Sequence, residues 1–527
     1  MSTEQTAKLV KKDRADITKQ GGVVASMTML SRISGLARDV VFSYLFGATA
    51  LADIFFVAFR IPNFFRRLFA EGAFNQAFVP VLVRFKHQGH QDLLGFIAPL
   101  SGLFSLAVTL FVILGVLIAP GLTALFAPGF ADDPERFEQT AELVRITFPY
   151  LGLVSLVAYA GSLLNAHDRF AVPAFTPVLL NLSLITAAGC AILQLFDATA
   201  VVILAWGVLV AGVVQLIFQI PPLIRLGLLV RPNLDRKHAG VVQVARLLVP
   251  AVLAASVGQI NALVNTMIAS TLITGSISWL YYADRLLELP VGLVAVALGT
   301  VMLPYLSRMA AEGDTDSFSA TLDWGVGLGL MLGLPAAVAL YLLSQPLVAT
   351  LFMSFGGGAM TPYDVRMAAY ALEMFAVALP GFVLVRVLSP AFFANQDTKT
   401  PFRYASVAVA VNLIGSLATF SWFGHVGLAW ATALSAWTQV VLLYIGLQRH
   451  GLYRPRSIGR SVAKSAAASV VLALGLLLFV PDASIWLATP ALQRLGWILV
   501  VVVVGVSGYC LVLYALGVRP RDLAHQP

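Results

Sequence analysis

Long apolar blocks separated by short polar stretches set the pattern of this chain. A membrane-crossing helix needs about 20 largely apolar residues, and by that ruler the blocks predict fourteen helical spans. They lie near residues 22–46, 53–84, 93–127, 138–164, 172–196, 200–226, 242–272, 276–308, 317–345, 363–394, 401–423, 427–448, 459–481 and 492–516. The second and eighth are the least hydrophobic. The pattern predicts an all-α polytopic membrane protein. Its organisation reads as a tail over 1–21, a six-span lobe over 22–230, a second over 231–450, a two-span appendage over 451–516 and a tail over 517–527. The first tail is polar, of mixed charge, and reads as mobile. It has no apolar segment before a small-residue cleavage site, so it is not a signal peptide.

The blocks repeat. Gly47 to Pro62 reads GATALADIFFVAFRIP and Gly275 to Pro290 reads GSISWLYYADRLLELP, an offset of 228 residues at both ends. NAHDRFAVP ends at Pro173 and NQDTKTP at Pro401, again 228 apart, and Asn181 and Asn412 follow at 231. Six spans separate the copies, so both halves share one orientation. Such parallel repeats are related by an axis along the membrane normal, a design used for alternating access.

Charge agrees with this picture. Only 11% of the 527 residues are charged and 59% are hydrophobic, against about 25% charged in soluble chains; mean hydropathy is +0.86. Lys and Arg concentrate in alternate loops, such as IRLGLLVRPNLDRKHAG and LQRHGLYRPRSIGR, while the intervening loops are acidic or neutral. By the positive-inside rule both termini are cytoplasmic, which requires an even number of spans. The net charge of +8 belongs to those loops rather than to a nucleic-acid partner. Cys190 and Cys510 lie inside apolar runs, so neither a disulfide framework nor a metal site is expected.

Against that background the stretch Ser31–Pro80 is anomalous. It carries Arg32, Arg38, Arg60, Arg66 and Arg67 against Asp39, Asp53 and Glu71. An ionisable side chain at bilayer depth costs roughly 2.5–3.5 kcal/mol on insertion scales, so such groups face a polar cavity or each other. Arg32 and Asp39 are seven apart and share a helix face. The plain alternative is that Arg38 and Asp39 reach out to the interface. Asp53, Arg60, Arg67 and Glu71 form one helical stripe, with Pro62 interrupting the ladder. A network that only ties helices together accounts for Asp53 and Arg60, but not for the excess of arginines, which calls for an anion. The eighth span repeats the theme with Asp284, Arg285 and Glu288, and the tenth carries Glu373 and Arg386 between Pro380 and Pro390. Arginine forks suit a pyrophosphate, because each donates two parallel hydrogen bonds. No nucleotide, metalloprotease or hydrolase signature is present. The run Gly356–Gly358 reads as a flexible connection.

At these residues the chain resembles a known family. SMTMLSRISGLARD, ADIFFVAFRIPNFFRRLFAEGAFNQAFVPVL, APGFAD, ITFPYL, SWLYYADRLLELPVGLVAVALGT and LPYLS are similar to the MurJ (MviN) lipid II flippases, of the multidrug/oligosaccharidyl-lipid/polysaccharide exporter superfamily. The similarity runs from about residue 22 to 515. It implies two pseudo-symmetric six-helix lobes around a central cationic cavity, with two extra C-terminal helices forming a groove for lipid. It implies translocation of the undecaprenyl-pyrophosphate-linked peptidoglycan precursor from the cytoplasmic to the periplasmic leaflet of a bacterial inner membrane.

Carried onto this sequence, the family's substrate-binding arginines fall on Arg32, Arg38, Arg66 and Arg285. Supporting positions fall on Asp53, Asn63, Glu71, Ser278, Asp284 and Glu288, with Arg386 where the family has lysine. Some members bind sodium through carboxylates in the seventh and eleventh spans, where this chain offers Asn261, Asn265 and Asn412. No metal, cofactor or catalytic residue is expected, and the partners implied are lipid II, membrane lipids and, transiently, other cell-wall synthesis proteins. The rival readings are an exporter of another prenyl-diphosphate-linked oligosaccharide and a membrane scaffold that transports nothing. A drug exporter would favour an acidic cavity.

Overall fold

A computed structural model describes residues 3–353, 358–455 and 458–519, apart from the side chains of 3–21, 70–73, 253–255, 257, 258, 295–297, 300 and 483. The Glu71 side chain, Gly356, Gly357 and the tail from Pro520 onward lie outside the described residues, so the expectations placed on them go no further. The described chain is helical, with no strand, as apolar surroundings demand of a backbone that must satisfy its own hydrogen bonds.

Contacts divide the chain into two compact units. The first, residues 1–45 and 54–259, contains most of α1 (Thr3–Phe46) and α2 (Ala50–Phe65), a π-helical segment (Arg66–Ala73), α3 (Phe74–Gln88), α4 (His90–Leu117), α5 (Ala119–Phe126), α6 (Pro134–Thr147), α7 (Pro149–Ala166), α8 (Ala171–Ile192), α9 (Ala200–Arg225) and the start of α10 (Ala239–Ser270). The second, residues 46–53 and 260–527, contains the end of α10, α11 (Ser276–Glu312), α12 (Thr315–Leu342), α13 (Ser344–Phe352), α14 (Pro362–Ala394), α15 (Lys399–Phe423), α16 (His425–Arg449), α17 (Ile458–Phe479), α18 (Ala483–Ala488) and α19 (Ala491–Ala515). Compactness therefore divides the chain inside α10, not in the polar loop near residue 230. The segment expected as a mobile N-terminal tail is helical from Thr3, continuous with the first span.

Ten helical stretches among the described residues are long and apolar enough to cross a membrane. The remaining four of the fourteen expected are α1, α2 with α3, α10 and α11. Several spans break once: Phe148 separates α6 from α7, with Pro149 opening the second piece, where a missing N–H costs nothing.

The internal repeat is visible in backbone geometry. Asp168 and Gln396, 228 apart, end α7 and α14 with φ of 60° and 59°. Gly47 and Gly275, the other pair at that offset, have φ of 55° and 96°. At both, glycine is required by contact as well as by φ. A Cβ on Gly47 would lie 2.4 Å from the Ala359 carbonyl oxygen, and one on Gly275 would lie 2.9 Å from that of Ala48.

Packing within each unit follows from apolar faces. In unit 1, Phe74, Phe78, Phe96 and Tyr159 are buried in one cluster with Leu163 and Leu164; Phe74 and Phe78 stack at 5.0 Å. In unit 2, α14 packs on α11, α12 and α16. Gly325 of α12 faces Met302 of α11 and Val387 of α14 so closely that a Cβ would lie 2.7 Å from the methionine methyl.

Candidate functional site

Unit 1 holds a cationic group on α1 and α2. Arg38 is 7% exposed and Asp39 fully buried. The Arg38 Nε and one terminal nitrogen donate to Asp39 Oδ1 at 2.9 and 2.7 Å, and the other terminal nitrogen donates to Asn181 Oδ1 on α8 at 3.1 Å. The Phe42 and Phe59 rings lie 5.5 and 6.0 Å from the guanidinium carbon. Neither Arg38 nor Asp39 extends to the interface; the pair is buried because α8 and the aromatic rings cover it. Arg32, seven residues before Asp39, is half-buried.

Arg66 is half-buried where α2 passes into the π-helical segment. Its Nε donates to Asn63 Oδ1 at 3.0 Å, and Asn63 Nδ2 donates to the Phe59 carbonyl at 2.7 Å. Asn63 is thus fixed by its own helix and aims Arg66. The change of register falls at this π-segment, not at Pro62, through which α2 continues. The single stripe expected from Asp53 to Glu71 is therefore broken: Arg60 is half-buried and Arg67 exposed.

Asp53, one of the expected supporting positions, is bonded to the start of α11. It belongs to unit 2, where its carboxylate caps the first turn of α11. Oδ2 accepts from Gly275 N at 2.7 Å, and Oδ1 from Ser278 N at 3.0 Å and Ser278 Oγ at 2.6 Å. Asp53 is 1% exposed and Ser278 fully buried. A carboxylate here satisfies amides that the helix cannot and meets the positive end of its dipole. Tyr282 Oη donates to the Gly47 carbonyl at 2.9 Å, a second tie between the same two segments.

Further along α11, Arg285 forms an ion pair with Glu288 at 2.9 Å, and both are partly exposed. Asp284 is exposed, as is Arg386 on α14. Glu373, also on α14, accepts from Ser344 Oγ at 2.9 Å. In the same unit Asn412 donates to Asn261 and, at 2.8 Å, to Asn265. These amides bond to one another, and among the described residues no carboxylate is bonded to them. Among the described residues no group of three or more His, Cys, Asp or Glu is placed to hold a metal.

Sequence reasoning missed the roles of Asn181 and Tyr282. The signal was present for Asn181: a lone amide in an apolar span is expensive and functional by default.

What the arrangement offers is guanidinium forks held by amide and carboxylate partners inside apolar helices, which suits a phosphate-bearing ligand. The chain is 44% identical over 520 residues to the probable lipid II flippase MurJ of Vibrio cholerae, covering 96% of this chain and 97% of that one. It is 39% identical to the lipid II flippase MurJ of Burkholderia cenocepacia, covering 82% and 84%. A solved structure of lipid II flippase MurJ in an inward closed conformation matches with a TM-score of 0.78 and 26% identity, over 93% of this chain and 97% of that one. An inward-facing multidrug resistance transporter of the MATE family shares the fold, with a TM-score of 0.63 and 16% identity over 82% and 98%. The model of the family described as lipid II flippase MurJ matches residues 42–495, and with relatives this similar over nearly its whole length, the chain belongs to that family.

Proposed function

We propose that this protein is a lipid II flippase of the bacterial inner membrane, moving the undecaprenyl-diphosphate-linked precursor from the cytoplasmic to the periplasmic leaflet. The observation that carries this reading is the set of arginines retained in apolar helices with dedicated orienting partners: Arg38 with Asp39 and Asn181, Arg66 with Asn63, Arg285 with Glu288. Burying a guanidinium costs several kcal/mol even when it is paired, which a mere scaffold has no reason to bear. Arg32, Arg38, Arg66 and Arg285 bind the diphosphate, and Arg386 adds positive charge. The prenyl tail stays in lipid along α17 and α19. The cargo is carried unchanged, so the protein acts as a transporter and not as an enzyme.

Movement is by alternating access, with both termini cytoplasmic. The Asp53 cap on α11 stabilises one of the alternating forms and opens in the other. A membrane potential of about 100 mV acts on each charge with roughly 2.3 kcal/mol, enough to bias a cationic site without a coupling cation. In detergent, the purified chain should bind lipid II, and Arg66→Ala and Arg285→Ala should each weaken binding by about tenfold or more, the loss of one charge-assisted contact. Binding of both variants within about twofold of the parent contradicts the assignment.

A further inference from the structure

Unit 2 holds a second cationic feature, away from the arginines assigned to the cargo. A cavity of about 290 Å³ lies where α12 meets the start of α17. Asp323, Trp324 and Met331 line it from α12, and Arg460, Ser461 and Lys464 from α17. Its lining is graded from charged to apolar. Arg460 is exposed and Lys464 half-buried, whereas Met331 is buried in an apolar cluster with Ala468, Tyr509 and Leu513. The Lys464 ammonium reaches towards the end of α19, where a Cβ on Gly517 would lie 3.9 Å from Nζ. Asp323 adds a carboxylate, whose Oδ1 accepts from Tyr453 Oη at 2.7 Å. Two cations against one carboxylate leave the lining with one net positive charge. Cations flanking the end of a span are ordinary where the adjoining loop is basic. A cavity enclosed between them and a neighbouring helix is not.

The same face of α17 continues into lipid. Residues 460, 464, 471, 474 and 478 recur at helical spacing and share one stripe. Beyond the two cations the stripe carries Val471, Leu474 and Leu478, which are 49%, 54% and 77% exposed. Lys464 and Leu474 are ten residues apart, about 15 Å along the helix, which is half the thickness of a bilayer's hydrocarbon core. A headgroup seated on the cations therefore has acyl-length apolar surface directly beneath it. The cavity is at the small end of ligand pockets, which run from roughly 300 to 1,000 Å³, so it has room for a headgroup and not for a whole lipid. Basic pockets between membrane helices are of the kind that hold anionic headgroups. The net charge of +1 matches a phosphodiester, which is singly charged. We propose that this cavity binds the phosphate of an anionic glycerophospholipid through Arg460 and Lys464, with the acyl chains lying along α17. The occupant is a resident membrane lipid and not the cargo, so the site stands independently of the flippase reading.

The test titrates the full-length protein, purified in a neutral detergent, with phosphatidylglycerol, phosphatidylethanolamine and inorganic phosphate. Bound lipid is counted by native mass spectrometry, and thermal melting without lipid checks each variant's fold. The parent should bind phosphatidylglycerol in preference to phosphatidylethanolamine, and excess inorganic phosphate should not displace it. Arg460→Ala and Lys464→Ala should each weaken phosphatidylglycerol binding about fivefold, and together about 25-fold. Arg449→Ala, which removes an exposed cation at the end of α16, should leave it within about twofold. Should the alanine variants fail to fold, Arg460→Gln and Lys464→Gln, which keep the packing of the stems, are read in the same way. Equal binding of the two lipids overturns the proposal, as does parent-like binding in the double variant. An equal loss in Arg449→Ala overturns it too, by showing general attraction to a basic surface. Displacement by inorganic phosphate would make this a free-phosphate site, and displacement by lipid II would give it to the cargo; either result overturns the assignment to a resident lipid. Lipid II binding by the parent is measured separately, and its loss would count against the flippase reading alone.

Discussion

Replacing Asp53 by asparagine isolates the cap on α11 with little change of shape. The carboxylate accepts three hydrogen bonds, two from backbone amides and one from a hydroxyl, at 2.6–3.0 Å. Asparagine keeps one accepting oxygen but turns an N–H group towards a donor, so at least one bond is lost together with the charge facing the helix dipole. A buried hydrogen bond to a charged group contributes about 1.5–3 kcal/mol, and the dipole term adds about 0.3–1 kcal/mol. A loss near 2 kcal/mol shifts the balance between the described form and one with the cap open by roughly 30-fold. Ser276, at the start of α11, is 1% exposed and its hydroxyl has no hydrogen-bond partner among the described residues, so Ser276→Cys is a mild reporter. In a background lacking the native Cys190 and Cys510, a membrane-impermeant maleimide should label Cys at 276 slowly in the parent. Labelling should be roughly 30-fold faster with Asp53→Asn. Ser278→Ala, which removes one of the three bonds, should fall in between. Equal labelling rates in parent and Asp53→Asn, with helical content unchanged, would refute the assignment of the cap as a bond that holds this form.

Three further outcomes follow from local geometry. Gly47→Ala places a Cβ 2.4 Å from the Ala359 carbonyl oxygen at a φ of 55°; a left-handed alanine alone costs roughly 1–2 kcal/mol, so thermal unfolding in detergent should move down by at least that equivalent. Tyr453→Phe removes a 2.7 Å hydrogen bond to the buried Asp323 and should destabilise unit 2 by about 1–2 kcal/mol, measured as a lowered melting temperature without loss of lipid II binding. Asp314 caps α12, and the hydrogen bonds it accepts from the Ser317 side chain and backbone hold its carboxyl below the ordinary value of 3.8. A depressed pKa gives stability that is present above the ordinary value and lost as pH falls through the depressed one. The stability gap between the parent and Asp314→Ala should therefore be full at pH 7 and close as the pH drops below 3.8.

The legible parts of this protein were those written in local composition. Ten membrane-length helices are plain from hydropathy because each holds a long stretch of high mean hydropathy with few charges. The repeat was legible because its marks are residues with special backbone demands: Gly47 and Gly275 at left-handed turns, and the helix ends before Pro173 and Pro401. What sequence could not supply is which neighbour a polar side chain meets. Asp53 sits on a plausible stripe with Arg60 and Arg67, yet its partner is the start of α11, more than 200 residues away. The stripe itself fails because a π-helical segment at Arg66–Ala73 resets the register, and no periodicity rule signals an extra residue per turn. Asn181 was visible as a repeat mark, but its amide geometry towards Arg38 depends on how α8 lies against α1, which only tertiary packing decides.

The most direct test of the account uses cells depleted of their own flippase and complemented with this protein. A lipid II-cleaving enzyme added to the periplasm reaches its substrate only after the headgroup has crossed to the outer leaflet. The account predicts that the parent restores cleavage and that Arg66→Ala and Arg285→Ala, inserted at parental levels, do not. Cell survival with no recovery of cleavage would contradict it.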